Sequence, residues 1–126
     1  MPTERILVVD DDREFAESIA LRCRGLGYDT EIACTPLAAI ASLVAEPPDL
    51  LCLDVNLQTG NGLDLCEHVV RAADAPQLPV IVLTGHSDRE TVFRSVSLRT
   101  NYLHKSPDVW LRLRPMIEEL LPQQPA

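Results

Sequence analysis

The stretch Ile6-Leu7-Val8-Val9-Asp10-Asp11-Asp12 runs four apolar residues straight into three carboxylates. Two carboxylates about 4 Å apart repel by about 4 kcal/mol at an effective dielectric near 20, so crowding them calls for a counter-charge. Three further residues close apolar runs in the same way: Asp54 after Leu50-Leu51-Cys52-Leu53, Thr84 after Val80-Ile81-Val82-Leu83, and Lys105 after Tyr102-Leu103-His104. Three acids suit a hard divalent cation that takes oxygen ligands in near-octahedral geometry and keeps several waters, for which magnesium (Mg2+) is the natural candidate. Such an ion offsets the repulsion and can bridge to a phosphoryl oxygen, while Lys105 and Thr84 contact the others. Asp54 is then placed as a nucleophile that forms an aspartyl phosphate. Without metal, the acid cluster only opposes folding.

This chemistry requires the run ends to meet, and the elements decide that. Short runs of Val, Ile and Leu predict strands over 5–10, 28–33, 49–54, 79–84 and 101–104, each covered on both faces. Between them Phe15, Ile19, Cys23 and Leu26 recur at helical spacing, as do Leu37, Ile40 and Val44, then Leu63, Cys66 and Val70. Helices are expected over 12–26, 35–46 and 61–74, the first capped by Asp12 and the second opened by Thr35-Pro36. Ser87-x-x-Glu90 reads as a capping box opening a fourth helix to about 99. A fifth helix over 107–121 carries Val109, Leu113, Ile117 and Leu120 on one stripe, and Pro115 inside it predicts either a bend or a turn before a helix starting near Leu113. Five β-α units in alternation imply an α/β fold, a doubly wound parallel sheet with right-handed crossovers and helices on both faces. Sheets of this kind bind ligands at the carboxyl ends of their strands, where the strand order reverses.

The bulk properties narrow the function classes. With 126 residues the chain is one domain, 1–121, followed by a Pro-Gln-Gln-Pro-Ala tail or linker start over 122–126. A net charge of −8 argues against direct nucleic-acid contact or an anionic membrane surface, since both require lysine and arginine to meet phosphate. No apolar run reaches the length of a membrane span and the first residues lack a signal-peptide profile, so a cytoplasmic location is expected. Cys23, Cys34, Cys52 and Cys66 form no CxxC pair and no metal spacing with His68, His86 or His104, which leaves them as small hydrophobes in a reducing compartment.

The ordered set resembles the receiver domain of two-component response regulators, of the chemotaxis-regulator type. "ILVVDDD" matches that family's first strand and acid pair, "PPDLLCLDVNLQTGNGL" its phosphorylation segment, "LPVIVLTG" its fourth strand and "NYLHK" its fifth, so nearly the whole chain is covered. The resemblance implies a flavodoxin-like (βα)5 fold, strand order 2-1-3-4-5 in three α/β/α layers. It makes Asp54 the phosphoacceptor, with Asp10, Asp11, Asp54 and the backbone carbonyl of Asn56 holding magnesium. Thr84 and Lys105 become the residues that contact the phosphoryl group, and Tyr102 the aromatic whose rotamer follows Thr84. Gly62 matches the glycine that turns the chain into the third helix. Gly85 leaves room beside the site, while His86, Asn56 and Gln58 match positions that tune how fast water removes the phosphoryl group.

The implied partners are a sensor histidine kinase or phosphotransfer protein upstream, and a downstream protein or output domain. The output partner would bind the face of the fourth helix (87–99), fifth strand (101–104) and fifth helix (107–121), with a homodimer as an option. The chain is expected to catalyse nothing beyond its own phosphorylation and dephosphorylation. Two departures stand out: Gln58 and Ser106 occupy positions where the family usually has proline. A Lys105-Ser106 cis bond would cost about 2.5–4 kcal/mol, so a trans bond, or a cis bond moved to Ser106-Pro107, is expected. Two alternatives remain at this point. One is a receiver-like interaction domain that needs no phosphorylation. The other is a haloacid-dehalogenase-type phosphatase, which wants Asp-x-Asp-x-Thr where this chain has Asp10-Asp11-Asp12-Arg13-Glu14.

Overall fold

The protein is described here from a computed structural model, over residues 4–54, 56–57, 60–61, 78–85 and 101–121. Side chains alternate across a strand, so each apolar run serves two layers at once. The parallel sheet consists of β1 (Arg5–Val9), β2 (Asp29–Ala33), β3 (Leu50–Asp54), β6 (Val80–Thr84) and β7 (Asn101–His104), hydrogen-bonded in the order β2-β1-β3-β6-β7. Counting these five strands alone, that is the 2-1-3-4-5 order. One face presents Ile6, Val8, Leu50, Cys52, Ile81, Leu83 and Leu103 to α1 (Arg13–Gly25) and α3 (Val109–Leu120). The opposite parity, Leu7, Val9, Leu51, Leu53, Val80 and Val82, meets α2 (Pro36–Ala45). Every residue of the central strands β3 and β6 is buried, which explains their unbroken hydrophobicity.

Helix ends follow local chemistry. Asp12 caps α1 by accepting a hydrogen bond from the Phe15 backbone N–H at 3.2 Å, and Thr35 caps α2 through the Ala38 N–H at 3.1 Å with Pro36 in the first turn. The turn after α1 uses Gly27 at φ 99°, a left-handed conformation that favours glycine. Tyr28 then buries its ring and donates its hydroxyl to the Leu121 carbonyl at 2.9 Å, tying β2 to the end of α3. At the amino end of the sheet, Arg5 gathers Glu31 at 2.7 Å, Glu46 at 2.9 Å and Asp29 at 3.4 Å.

Two expectations need correction. The last helix is continuous through Pro115 and starts at Val109, not near Leu113. The hydrogen bond that Pro115 cannot donate would have gone to the carbonyl of Leu111, a residue on the solvent side at 72% exposure, where water can take that place. Asn61 does not open a helix; it pairs with Asn56 in a small antiparallel hairpin of β4 (Asn56–Leu57) and β5 (Gly60–Asn61). The rest of the helix expected over 61–74, the helix over 87–99 and the tail 122–126 lie outside the described residues. Among the described residues no helix is long and apolar enough to cross a membrane.

The cysteines divide by burial. Cys23 and Cys52 are buried and Cys34 is partly exposed, all three as free thiols, while Cys66 lies outside the described residues. Burial pushes the Cys23 thiol up to about 12 and raises Cys52 as well. A raised folded-state value means the stability from a neutral Cys23 is fully present at neutral pH and is lost as the pH climbs toward that value. Iodoacetamide at pH 8 should therefore label Cys34 in the native chain, and Cys23 and Cys52 only after unfolding. Mass mapping of the alkylated peptides checks this, and native labelling of Cys52 on the timescale of Cys34 would contradict it.

Candidate functional site

Parity continues past the strand ends and sorts the polar residues. Asp10 follows Val8 by two positions, Asp54 follows Cys52, and Lys105 follows Leu103, so all three extend the face that carries α1 and α3. Thr84 extends the opposite parity of Val80 and Val82. The order reverses between β1 and β3, whose carboxyl ends carry Asp10 and Asp54, the place where doubly wound sheets bind ligands.

The geometry there is close. One carboxylate oxygen from each of Asp10, Asp11 and Asp54 lies within 4.8 Å of the others. Asp10 and Asp54 are buried at 1% and 5% exposure, and Asp11 is half-buried. The Lys105 ammonium sits 2.6 Å from Asp10 Oδ2 and 3.5 Å from Asp54 Oδ2. A buried carboxylate must be paired, and Lys105 does this for two at once. Asp10 Oδ1 accepts the Asp12 backbone N–H at 2.9 Å. Its buried Oδ2 accepts no hydrogen bond of good geometry; the approach of Lys105 is an ion pair by distance alone. Among the described residues the pocket gathers three acids and one ammonium, and an oxygen of Asp10 with unused acceptor capacity points to a hard cation as its complement. The residues present therefore fit magnesium, with Asp10, Asp11 and Asp54 as the side chains that would hold it.

The other expected residues are placed as follows. Thr84 is fully buried at the end of β6, and its carbonyl accepts the Lys105 backbone N–H at 2.7 Å. Tyr102 is half-buried on β7 opposite Val82, packed against the α2-side core. Gly85 is exposed, and among the described residues a Cβ there would meet nothing within 4 Å. Asn56 lies two residues past Asp54 in the hairpin with Asn61. Gln58, Gly62 and His86 fall outside the described residues.

Ser106 does not displace the lysine. Among the described residues all peptide bonds are trans, and the Ser106 hydroxyl hydrogen-bonds Asp108 at 2.5 Å while Arg112 donates to Ser106. The Ser106 hydroxyl, helped by Arg112, holds the Asp108 carboxyl below its usual range. A polar clip thus secures the turn where the family usually has proline.

The sequence reading missed one participant. Phe15, assigned to the core by its helical spacing, places its ring 4.3 Å from the Lys105 ammonium. Nothing in the local sequence distinguishes it from Ile19 or Cys23.

Comparison with known proteins adds four findings. The profile of the response regulator receiver domain matches residues 6–109. The chain is 39% identical over 85 residues to the DNA-binding response regulator MtrA of Mycobacterium tuberculosis, covering 68% of this chain and 36% of that protein. It is 36% identical over 117 residues to the response regulator MprA of Mycobacterium avium, covering 93% of this chain and 47% of that protein. It thus spans less than half the length of either relative. A CheY-like receiver domain protein from Methanospirillum hungatei superposes with a TM-score of 0.85 at 28% identity, covering 94% of each chain.

Proposed function

The chain belongs to the response regulator receiver domain family, and from that premise we propose that Asp54 accepts a phosphoryl group from the phosphohistidine of a sensor histidine kinase or phosphotransfer protein. The observation that carries this reading is a buried carboxylate at the end of a central strand, grouped with Asp10 and Asp11 and within 3.5 Å of the Lys105 ammonium. An Asp54 oxygen attacks phosphorus, the bond from phosphorus to the imidazole nitrogen breaks, and the imidazole leaves with that electron pair. Magnesium, when held by Asp10, Asp11, Asp54 and the Asn56 carbonyl, supplies positive charge to the phosphoryl oxygens. Lys105 neutralises charge on a phosphoryl oxygen, and Thr84, buried and bonded through its carbonyl to the Lys105 N–H, offers a hydroxyl. Repacking of Thr84 and Tyr102 then shifts a two-state equilibrium at the surface of β7, α3 and the segment 87–99, where a downstream protein, an output domain or a second copy would bind. Gly85, His86, Asn56 and Gln58 occupy the sequence positions that in this family tune how fast water removes the phosphoryl group.

A receiver domain is a signalling module, and family membership sets aside the haloacid-dehalogenase alternative. Direct DNA contact belongs to the name of MtrA, of which this chain matches 36%; the charge of −8 keeps nucleic acid out of the reading for this chain, and the cytoplasm is its expected place.

Incubation with magnesium and acetyl phosphate should add one phosphoryl group per chain by intact mass, mapped to the peptide containing Asp54. The same reagents, or beryllofluoride, should change Trp110 fluorescence, since that residue lies on α3 beside the proposed output face. An unmodified chain after this treatment would overturn the proposal and favour an interaction domain that works without phosphorylation.

A further inference from the structure

Lys105 is the only lysine among 126 residues, and its flexible stem must be held if it is to serve Asp54. Its backbone is fixed by the 2.7 Å bond to Thr84. Its ammonium, on a side chain 19% exposed, lies 2.6 Å from Asp10, 3.5 Å from Asp54 and 4.3 Å from the Phe15 ring. That last distance is within cation–π range, where the ring's negative face attracts the charge. The ring itself is set by the segment that supplies the acids. Asp10 Oδ1 accepts the Asp12 N–H at 2.9 Å, Asp12 Oδ1 accepts the Phe15 N–H at 3.2 Å, Phe15 faces Lys105, and Lys105 returns to Asp10 Oδ2. Asp10, Asp12, Phe15 and Lys105 form a closed circuit across the first turn of α1.

We infer that Phe15 is a positioning residue: its ring holds the Lys105 ammonium at the edge of the acid cluster, and Asp12 acts through the helix cap to keep that ring in place. The inference rests on the reading of Asp54 as the acceptor. Among the described residues the ammonium meets two carboxylates and one ring, and without the ring the stem regains rotamers that swing it outward to water. Leucine at 15 would fill the core but offer no π face. Tyrosine or tryptophan would keep the face. No other aromatic ring among the described residues lies against this ammonium.

The test is a mutant cycle read by phosphorylation rate and by NMR. With acetyl phosphate and saturating magnesium, Phe15→Leu should slow adduct formation about three- to tenfold, the fold-change expected for one lost cation–π contact. Phe15→Tyr or Phe15→Trp should stay within about twofold of the parent. In a Lys105→Met background the Phe15→Leu change should have no further effect, which a merely structural role for the ring would not produce. A slowdown of equal size in both backgrounds, or none in the parent, overturns the inference.

A second readout is independent of phosphorylation. Lysine labelled with 13C gives a single side-chain ε-methylene signal, and in the parent it should be shifted upfield by the ring. Phe15→Leu should remove the shift and Phe15→Tyr keep it; an unshifted parent signal refutes the placement of Lys105 whatever the kinetics. A parent that shows the shift but gains no phosphoryl group overturns the Asp54 reading and the kinetic part of this inference, while the placement stands.

Discussion

Asp54→Asn should gain no phosphoryl group from acetyl phosphate, and in chelator it should unfold at a higher urea concentration than the parent. Both results follow from the same carboxylate. The amide has no nucleophilic oxygen anion, so attack on phosphorus stops and the adduct falls below detection. The fold, however, loses a buried negative charge that faces Asp10 and Asp11 within 4.8 Å. Asp54 is buried at 5% exposure, and among the described residues its 3.5 Å approach to Lys105 is longer than the 2.6 Å approach of Asp10, so the neutral amide is expected to lose more repulsion than pairing. Relief is expected to stabilise by about 1 kcal/mol, the scale of one like-charge contact after partial compensation by the ammonium. Intact mass and urea titrations in chelator measure the two quantities. With magnesium added, the order of stability should reverse, because the parent presents three carboxylates to the ion and the variant two. An Asp54→Asn chain that still takes a phosphoryl group would place the acceptor elsewhere.

Lys105→Met should act in the opposite direction, destabilising the metal-free chain by about 2–4 kcal/mol, toward the lower part of the range for removing one partner of a buried pair. The methionine preserves the stem and its packing near Phe15 but removes the ammonium that lies against Asp10 and Asp54. Asp10 is most affected, since it is 1% exposed and its Oδ2 has the ammonium as its contact at 2.6 Å. Magnesium should restore most of the loss, and should stabilise this variant more than the parent, because no ammonium competes for the same oxygen. Urea titrations of both chains in chelator and in magnesium measure this difference. A variant as stable as the parent without metal would mean that Lys105 does not carry the charge balance of the pocket. The opposite signs expected for Asp54→Asn and Lys105→Met form an internal check, since a general loss of packing would destabilise both.

Much of this architecture was legible in the chain. The two-sided burial of β1, β3 and β6, the caps at Asp12 and Thr35, and the gathering of Asp10, Asp54 and Lys105 at one rim were all expected from local pattern and from the rule for doubly wound sheets. The hairpin of Asn56–Leu57 with Gly60–Asn61 was not, because two-residue strands are too short to show a period. Pro115 left a turn before a helix near Leu113 open as an alternative to a bent helix, because the sequence does not show whether the freed carbonyl faces water.

The sequence by itself determined the alternation of strands and helices and which acids stand at the carboxyl ends. These are properties of neighbours along the chain, set by side-chain alternation and by the first turn of each helix. Only the tertiary structure decided that Lys105 lies nearer Asp10 than Asp54, that Phe15 faces its ammonium, and that Tyr28 anchors to Leu121. Those contacts join residues far apart in the chain. Their distances depend on sheet register, helix placement and the reach of individual rotamers, none of which leaves a local mark in the order of amino acids.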